Sequence, residues 1–356
     1  MKITVVRPSE LAGCRPVWRH LQGASPDLAS PYFCPEFIEA VGAVRPGLRV
    51  AVLEEADRIA GFFPFERTWL GEGYPAGGKL SDYHGVIATP ETSWNTPELL
   101  RACGLVSWRF DHLPATQASF AAHASCEAIS PALDLSHGFE AYRQQRRQSG
   151  SLWLAQLERK ARKLARELGP LRFEADARED AVLERVLAWK SAQCQRTGTV
   201  DFFALRWTRE LVERIAAERG ASFGGVLCAL YAGDELVAAH LGMRSERAWH
   251  WWFPVYNRKF ARYSPGGILL LRVAEAAAKS GASVLDLGKG ADAYKESFAT
   301  GGVELLEGCA TRGGFIPTLR RLGERGEETL RGARWIRPLR PMLHSLRERA
   351  RQKSYA

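Results

Sequence analysis

Residues 249–298 constrain the fold most. They run through an aromatic block (249–256, WHWWFPVY), a Tyr263-Ser264-Pro265-Gly266-Gly267 turn, an apolar stretch at 268–280 and a short alternating block at 283–287 (SVLDL). The aromatics favour a strand, and the Leu, Val and Ala stretch favours a buried helix. The segment therefore predicts a strand, turn, helix and strand in succession. Glycines directly before a helix let the backbone approach a ligand closely, and the first helical turn offers unpaired N–H groups to an anion such as phosphate. Ser264, Gly266 and Gly267 are thus candidates to hold a phosphate-bearing cofactor. Pro265 and Gly266 also serve simply to start the helix.

In the block at 283–287, alternation sets Val284 and Asp286 on one side and Leu285 and Leu287 on the other. Asp286 interrupts an apolar strand just before Gly288 and Gly290, near the strand end where α/β units gather their chemistry. Its ordinary alternative is a helix cap or an ion-pair partner for Lys289 or Lys295. Lys295, beside Tyr294, is a candidate partner for phosphate or carboxylate, with Phe298 as anchor. His240 and His250 are potential bases near predicted strands, or partly buried histidines satisfied by the backbone. Tyr256 can donate a proton or pack. Trp252 shares a face with His250.

The chain has 356 residues, 46% of them hydrophobic, a length that commonly makes two domains. It has no apolar tract long enough to span a membrane and no apolar signal segment at its start. Seven cysteines without CxxC spacing argue against a disulfide framework or structural zinc and fit a reducing cytoplasm. No metal is expected. Of the net charge of +9, the segment 312–356 holds twelve Arg or Lys against four Glu, or +8, and 143–172 holds nine against two, or +7. Such regions attract phosphate, tRNA or anionic lipid headgroups, or simply keep a surface soluble.

Residues 48–65 (LRVAVLEEADRIAGFFPF) and 226–243 (VLCALYAGDELVAAHLGM) both read as strand, acidic turn, strand, with Asp57 and Asp234 in matching places. The repetition predicts an α/β chain of two related halves, with mixed sheets and covering helices, divided near residue 145. Helices are predicted at 35–44, 138–149, 152–168, 180–196 and 206–219, and a further strand at 105–110. The loop at 69–85 carries SDYHG, whose Asp82 and Tyr83 are placed to bind an acceptor between the halves, or to cap a turn.

PYFCPEF (31–37), SDYHG, RYSPGGILL (262–270) and LDLGKGADAYKESF (285–298) together resemble the CelD/BcsL acyltransferase family, related to the Gcn5-type acetyltransferase fold and to the FemAB transferases. Asp286 and Lys295 match that family's DxGxGxxxYK segment. The resemblance implies an N-terminal acetyltransferase-like domain at 1–145, a second at 146–320 with the main site, and a basic extension at 321–356. It implies acyl-coenzyme A as donor, bound by Arg262, Ser264, Gly266 and Gly267. Pro265 stands where the wider superfamily's phosphate loop has glycine. The implied acceptor is a small-molecule or saccharide amine, on an amino sugar or a polysaccharide precursor. Asp286, His250, Tyr256 and Lys295 then serve catalysis, and Asp82, Tyr83, Trp252 and His240 bind the acceptor. The alternatives are a FemAB-like transferase using aminoacyl-tRNA, the one reading with a nucleic-acid partner, and a nonenzymatic glycan-binding protein. A cytoplasmic setting, with peripheral contact to an anionic inner-membrane surface through the basic tail, is the expected location.

Overall fold

The computed structural model describes residues 1–150, 152–290 and 292–313. The expected basic extension at 321–356 lies outside the described residues. No described helix is long and apolar enough to cross a membrane.

The first half comprises β1 (Lys2–Val6), α1 (Arg15–Gly23), α2 (Pro35–Val44), β2 (Leu48–Glu55), β3 (Arg58–Arg67), β4 (Glu72–Tyr74), β5 (Ile87–Ala88), α3 (Thr96–Ala102), β6 (Ser107–Pro114) and β7 (Ala124–Asp134). The second comprises α4 (Phe139–Gln148), α5 (Trp153–Leu168), β8 (Leu171–Glu174), α6 (Asp180–Thr197), α7 (Arg206–Ala217), β9 (Phe223–Ala232), β10 (Glu235–Ser245), β11 (Ala248–Tyr256), α8 (Pro265–Lys279), β12 (Val284–Asp286), α9 (Ala293–Phe298) and β13 (Gly301–Thr311). Both expected hairpins form, β2 with β3 and β9 with β10. Ala56 and Asp57 take φ of 47° and 60°, the left-handed pair that a two-residue turn between twisted strands requires, and Gly233 opens the matching turn at φ 57°.

The strands join into one mixed sheet ordered β1-β2-β3-β4-β6-β13-β7-β12-β11-β10-β9-β8, with β5 against β3. The sheet is continuous across residue 145, because the halves exchange strands there. β7 leaves the first half to pair with β12, setting Ala132 opposite Asp286, and β13 returns from the second half to lie between β6 and β7. Neither strand stands out in sequence. β7 reads ASCEAISPALD and β13 opens on two glycines, so their neighbours rather than their own periodicity make them strands.

On one face of the sheet, α6 and α7 pack with Leu241, Met243, Trp252 and Phe253; on the other, α5 and α8 pack with Trp249 and Trp251. α5 buries Leu154, Leu157 and Leu164, as its apolar stripe predicts. Two irregularities then make a cleft. Leu241 faces Phe253 while Met243 faces His250, so two steps on β10 oppose three on β11, and the extra residue is a bulge on β11. β11 and β12 pair in parallel from Ala248 and Val284 only as far as His250 and Asp286. Beyond that point β11 continues to Tyr256 while the chain after Asp286 turns away, and no described strand pairs with that edge of β11.

Candidate active site

The cleft begins where His250 and Asp286 stand in register on adjacent strands. His250 is fully buried. Its Nε2 lies 2.9 Å from Asp82 Oδ2 and its Nδ1 lies 3.3 Å from Asp286 Oδ1, so the imidazole joins one carboxylate from each half. Burial alone would lower its pKa, but the hydrogen bonding and charge of Asp286 and Asp82 outweigh burial and raise it to about 9. His250 is therefore an imidazolium at neutral pH. It holds Asp82 and Asp286 below the ordinary carboxylate range, although burial acts on each in the opposite direction.

Asp286, expected to orient the attacking group, has its oxygens occupied. Oδ2 accepts from the Tyr83 hydroxyl at 2.5 Å, and Oδ1 accepts from Ser130 Oγ at 2.8 Å and from the Gly288 N–H at 2.7 Å. Its side chain is 8% exposed, against 26% for Asp82. The order of contact is thus reversed from the expectation: Asp286 holds His250, His250 holds Asp82 through Oδ2, and Asp82, the more exposed of the two carboxylates, has its Oδ1 3.7 Å from His112 Nε2. A protonated and fully buried imidazole cannot take a proton from an acceptor, so His250 is a positioning residue and not the expected base.

Other expectations change for the same reason, that their polar atoms are already used. The Tyr83 hydroxyl serves Asp286 and not an acceptor. The Trp252 indole N–H donates to Leu80 O at 3.2 Å, which pins the loop carrying Asp82. His240, on the other side of the sheet, is 1% exposed and stacked on Trp251 with centroids 4.1 Å apart. Burial pushes its pKa well down, so it is neutral and turned away from the acceptor. Lys295 is buried and donates to Gly288 O at 3.0 Å and Lys289 O at 3.1 Å, holding residues 287–290 in place. Tyr256 lies six positions beyond His250 on β11, half-exposed at the far end of the cleft, and so is not brought to the carboxylates.

The loop that delivers Asp82 is fixed from both sides. His84 Nε2 accepts the backbone N–H groups of Asp111 and His112, each at 3.0 Å, and burial drives its pKa down to about 3, which keeps that lone pair available. Gly288, at φ 72°, brings the opposite wall close, since a Cβ there would stand 3.3 Å from Asp82 Oδ2.

At the far end, Ser264 caps α8 in the left-handed conformation, φ 54°, and Lys160 Nζ donates to its hydroxyl at 2.7 Å. Gly267 and Ile268 already donate their N–H groups to Ser264 O, and Pro265 has none, which leaves Gly266 as the first-turn donor. Gly267 is glycine for packing: a Cβ would lie 2.9 Å from Leu157 Cδ2 on α5. A Cβ at Gly266 would meet Tyr256 at an ordinary 3.6 Å. Arg262 is paired with Glu167 Oε2 at 3.1 Å and lies over the Tyr263 ring. An anion here has Gly266, Lys160 and the helix end to meet.

Tyr32 and Ser130 belong to the site and carry little signal in sequence. Tyr32 is 2% exposed and meets the His250 ring edge-on at 5.0 Å. It stands in PYFCPEF, but no local pattern connects that motif to a histidine so distant in the chain. Ser130 sits in the unremarked strand β7.

Residues 153–296 match the family described as acetyltransferase (GNAT) domain, Acetyltransf_6. Three solved structures share the fold over most of their length. FemX aligns with a TM-score of 0.56 at 9% identity, covering 90% of this chain and 99% of that one. The C-terminal DUF2156 domain of an Agrobacterium fabrum protein assigned as a lysylphosphatidylglycerol synthetase aligns at 0.54 and 12%, covering 88% and 96%. A tandem GNAT protein from the clavulanic acid biosynthesis pathway aligns at 0.50 and 12%, covering 88% and 99%. No curated protein matches the chain.

Proposed function

We infer that this chain, an acyltransferase of the GNAT-fold superfamily, transfers an acyl group from coenzyme A to the amine of an amino sugar or polysaccharide precursor. The observation that supports this most is the position of Asp82. Its carboxylate stands at the point where β11 and β12 part, while the start of α8 stands beside Tyr256 at the other end of the open β11 edge. Six strand residues separate the two ends, roughly 20 Å at the usual rise. That arrangement suits an elongated donor with its anionic end at Gly266 and Lys160 and its thioester near Asp82.

Asp82 binds the acceptor amine and aligns it with the thioester carbon. Attack forms the C–N bond, and collapse of the adduct breaks the C–S bond to release the thiol. Nitrogen becomes far more acidic once it has attacked, so a carboxylate with a low pKa is competent to take its proton and pass it to the leaving sulfur. His250 keeps Asp82 oriented and favours its return to the ionised form once the proton has passed to sulfur, and Asp286 keeps His250 protonated.

The test is transfer from acyl-coenzyme A to amino-sugar acceptors, followed by mass spectrometry. Asp82→Asn keeps the size and removes the charge, and should lower kcat by about 100-fold or more in a variant that stays folded by circular dichroism, with a lower melting temperature because His250 loses one of its two flanking charges. A folded Asp82→Asn enzyme with wild-type kcat would remove Asp82 from the chemistry. In parallel, calorimetry should show acyl-coenzyme A binding that Lys160→Glu weakens. Binding of aminoacyl-tRNA with none of acyl-coenzyme A would transfer the chain to the FemAB-like reading.

A further inference from the structure

The turn between β3 and β4 carries the most exposed aromatic side chain of the described residues. Trp69 is 91% exposed, and Leu70 beside it 59%. Neither rides on a loose loop. Gly71, at φ 78°, donates its N–H to Thr68 O at 3.0 Å, Thr68 donates its N–H to Glu72 O at 2.9 Å, and the Glu72 N–H reaches Thr68 Oγ1 at 3.1 Å. The two side chains therefore stand at the tip of a closed turn. Val106, just before β6, donates its N–H to Gly71 O at 2.8 Å, and its own exposed side chain extends the apolar tip. Single exposed apolar residues are ordinary, whereas adjoining ones on a projecting corner mark a contact surface. The corner is also basic. Arg67 donates to Cys103 O at 3.4 Å, Arg101 lies in the last turn of α3, and Arg312, directly after β13, donates its backbone N–H to Val106 O at 3.4 Å. All three arginines are exposed. The acidic residues nearest in sequence are placed otherwise: Glu66 pairs with Arg45 at 2.9 Å, Glu72 accepts from the Tyr74 hydroxyl at 3.3 Å, and Glu98 sits in the first turn of α3.

A projecting tip of Trp and Leu with arginines around it fits the surface of an anionic phospholipid bilayer. A fluid bilayer closes around such a tip, the indole settles at the headgroup level with its N–H towards polar groups, and arginine pairs with lipid phosphate. We propose that Trp69 and Leu70 insert into an anionic membrane surface while Arg67, Arg101 and Arg312 pair with the phosphates beside them. The inference does not depend on the transferase reading. The sequence beyond Gly313 begins at this same corner and holds eleven Arg or Lys against four Glu. An apolar component is what separates insertion of the tip from attraction by basic sequence alone. β6 runs from this corner to Asp111 and His112, roughly 17 Å away at the usual rise, where their N–H groups hold the Asp82 loop through His84. The tip is thus separate from the cleft.

The experiment uses the full chain and vesicles of phosphatidylcholine, with or without an equal amount of phosphatidylglycerol. Co-sedimentation should show binding to the mixed vesicles and weaker binding to the neutral ones. Trp69→Ser should weaken binding to the mixed vesicles by about 10-fold, and Arg101→Glu by about 5-fold or more. Because Trp69 is exposed, Trp69→Ser should leave the melting temperature of the vesicle-free protein unchanged. Mixed vesicles whose phosphatidylcholine is brominated on its acyl chains should quench part of the wild-type tryptophan fluorescence, and Trp69→Phe should reduce that quenching. Binding that Trp69→Ser leaves unchanged would overturn the proposal, since attraction by basic sequence alone then accounts for it. Quenching that is the same in Trp69→Phe would overturn it as well. So would a melting temperature that falls with Trp69→Ser, because the tip is then covered by the protein's own chain. Absence of binding to the mixed vesicles would also overturn it, and a Trp69-dependent dimer in sedimentation velocity would in that case assign the tip to a second copy.

Discussion

Asp286→Asn tests the charge arrangement of the site most directly. In the wild type, Asp286 and Asp82 outweigh burial and raise the His250 pKa from the usual 6.5 or so to about 9, on the order of 3 kcal/mol in favour of the imidazolium. The lowered pKa values of Asp82 and Asp286 describe the same interactions from the other side and are not added to it. A histidine whose pKa is raised by folding contributes stability that is complete below its unfolded pKa and is lost as pH rises through the folded one. The window is therefore about pH 6.5 to 9. Asparagine removes one of the two flanking charges, and burial then returns the His250 pKa towards or below 6.5. Breaking such a pair costs about 3–5 kcal/mol at pH 7. At roughly 2–4 °C per kcal/mol, melting should fall by at least about 6 °C. The assay is a histidine Cε1–Hε1 NMR titration, with His250→Gln to assign the resonance, combined with melting curves at pH 6, 7, 8 and 10. The stability gap between wild type and variant should narrow from pH 8 to 10 as the wild-type imidazolium loses its proton. A wild-type His250 that titrates at or below 6.5, or a gap independent of pH, would refute the arrangement.

Lys295→Met should lower stability by about 1–3 kcal/mol, because Gly288 O and Lys289 O lose their buried donor, and should leave calorimetric affinity for acyl-coenzyme A near wild type. A large loss of donor affinity in a fully folded variant would return Lys295 to the binding site. Gly288→Ala places a Cβ at φ 72° beside Asp82, so we predict a cost of about 1–2 kcal/mol and a kcat decrease larger than the accompanying change in KM; steady-state kinetics with wild-type values would contradict the close approach. Gly267→Val should destabilise by about 1–3 kcal/mol through collision with Leu157, measurable by urea unfolding and relieved in the double variant with Leu157→Ala. If the two substitutions are simply additive, the helix contact is not what requires glycine there.

Local signals determined much of this architecture. The hairpins repeat because an acidic two-residue turn between alternating apolar runs specifies its own partner strand. The helices follow their apolar stripes, and α2 and α5 fall where the pattern of Leu, Ile and Val places them. Asp286, His250 and Asp82 were visible as polar residues interrupting a strand or standing in a glycine-bearing loop. Tertiary structure decided what each of them does. Three chain-distant segments meet at His250, and only that meeting makes it an imidazolium, turns Asp286 inward and leaves Asp82 the more exposed carboxylate. The exchange of β7 and β13 between halves was equally hidden, because strands with Ser, Pro or Gly in place of an apolar alternation take their structure from the neighbours they pair with. A pKa and an open strand edge are properties of surroundings, and those surroundings exist only once the two halves have closed into one sheet.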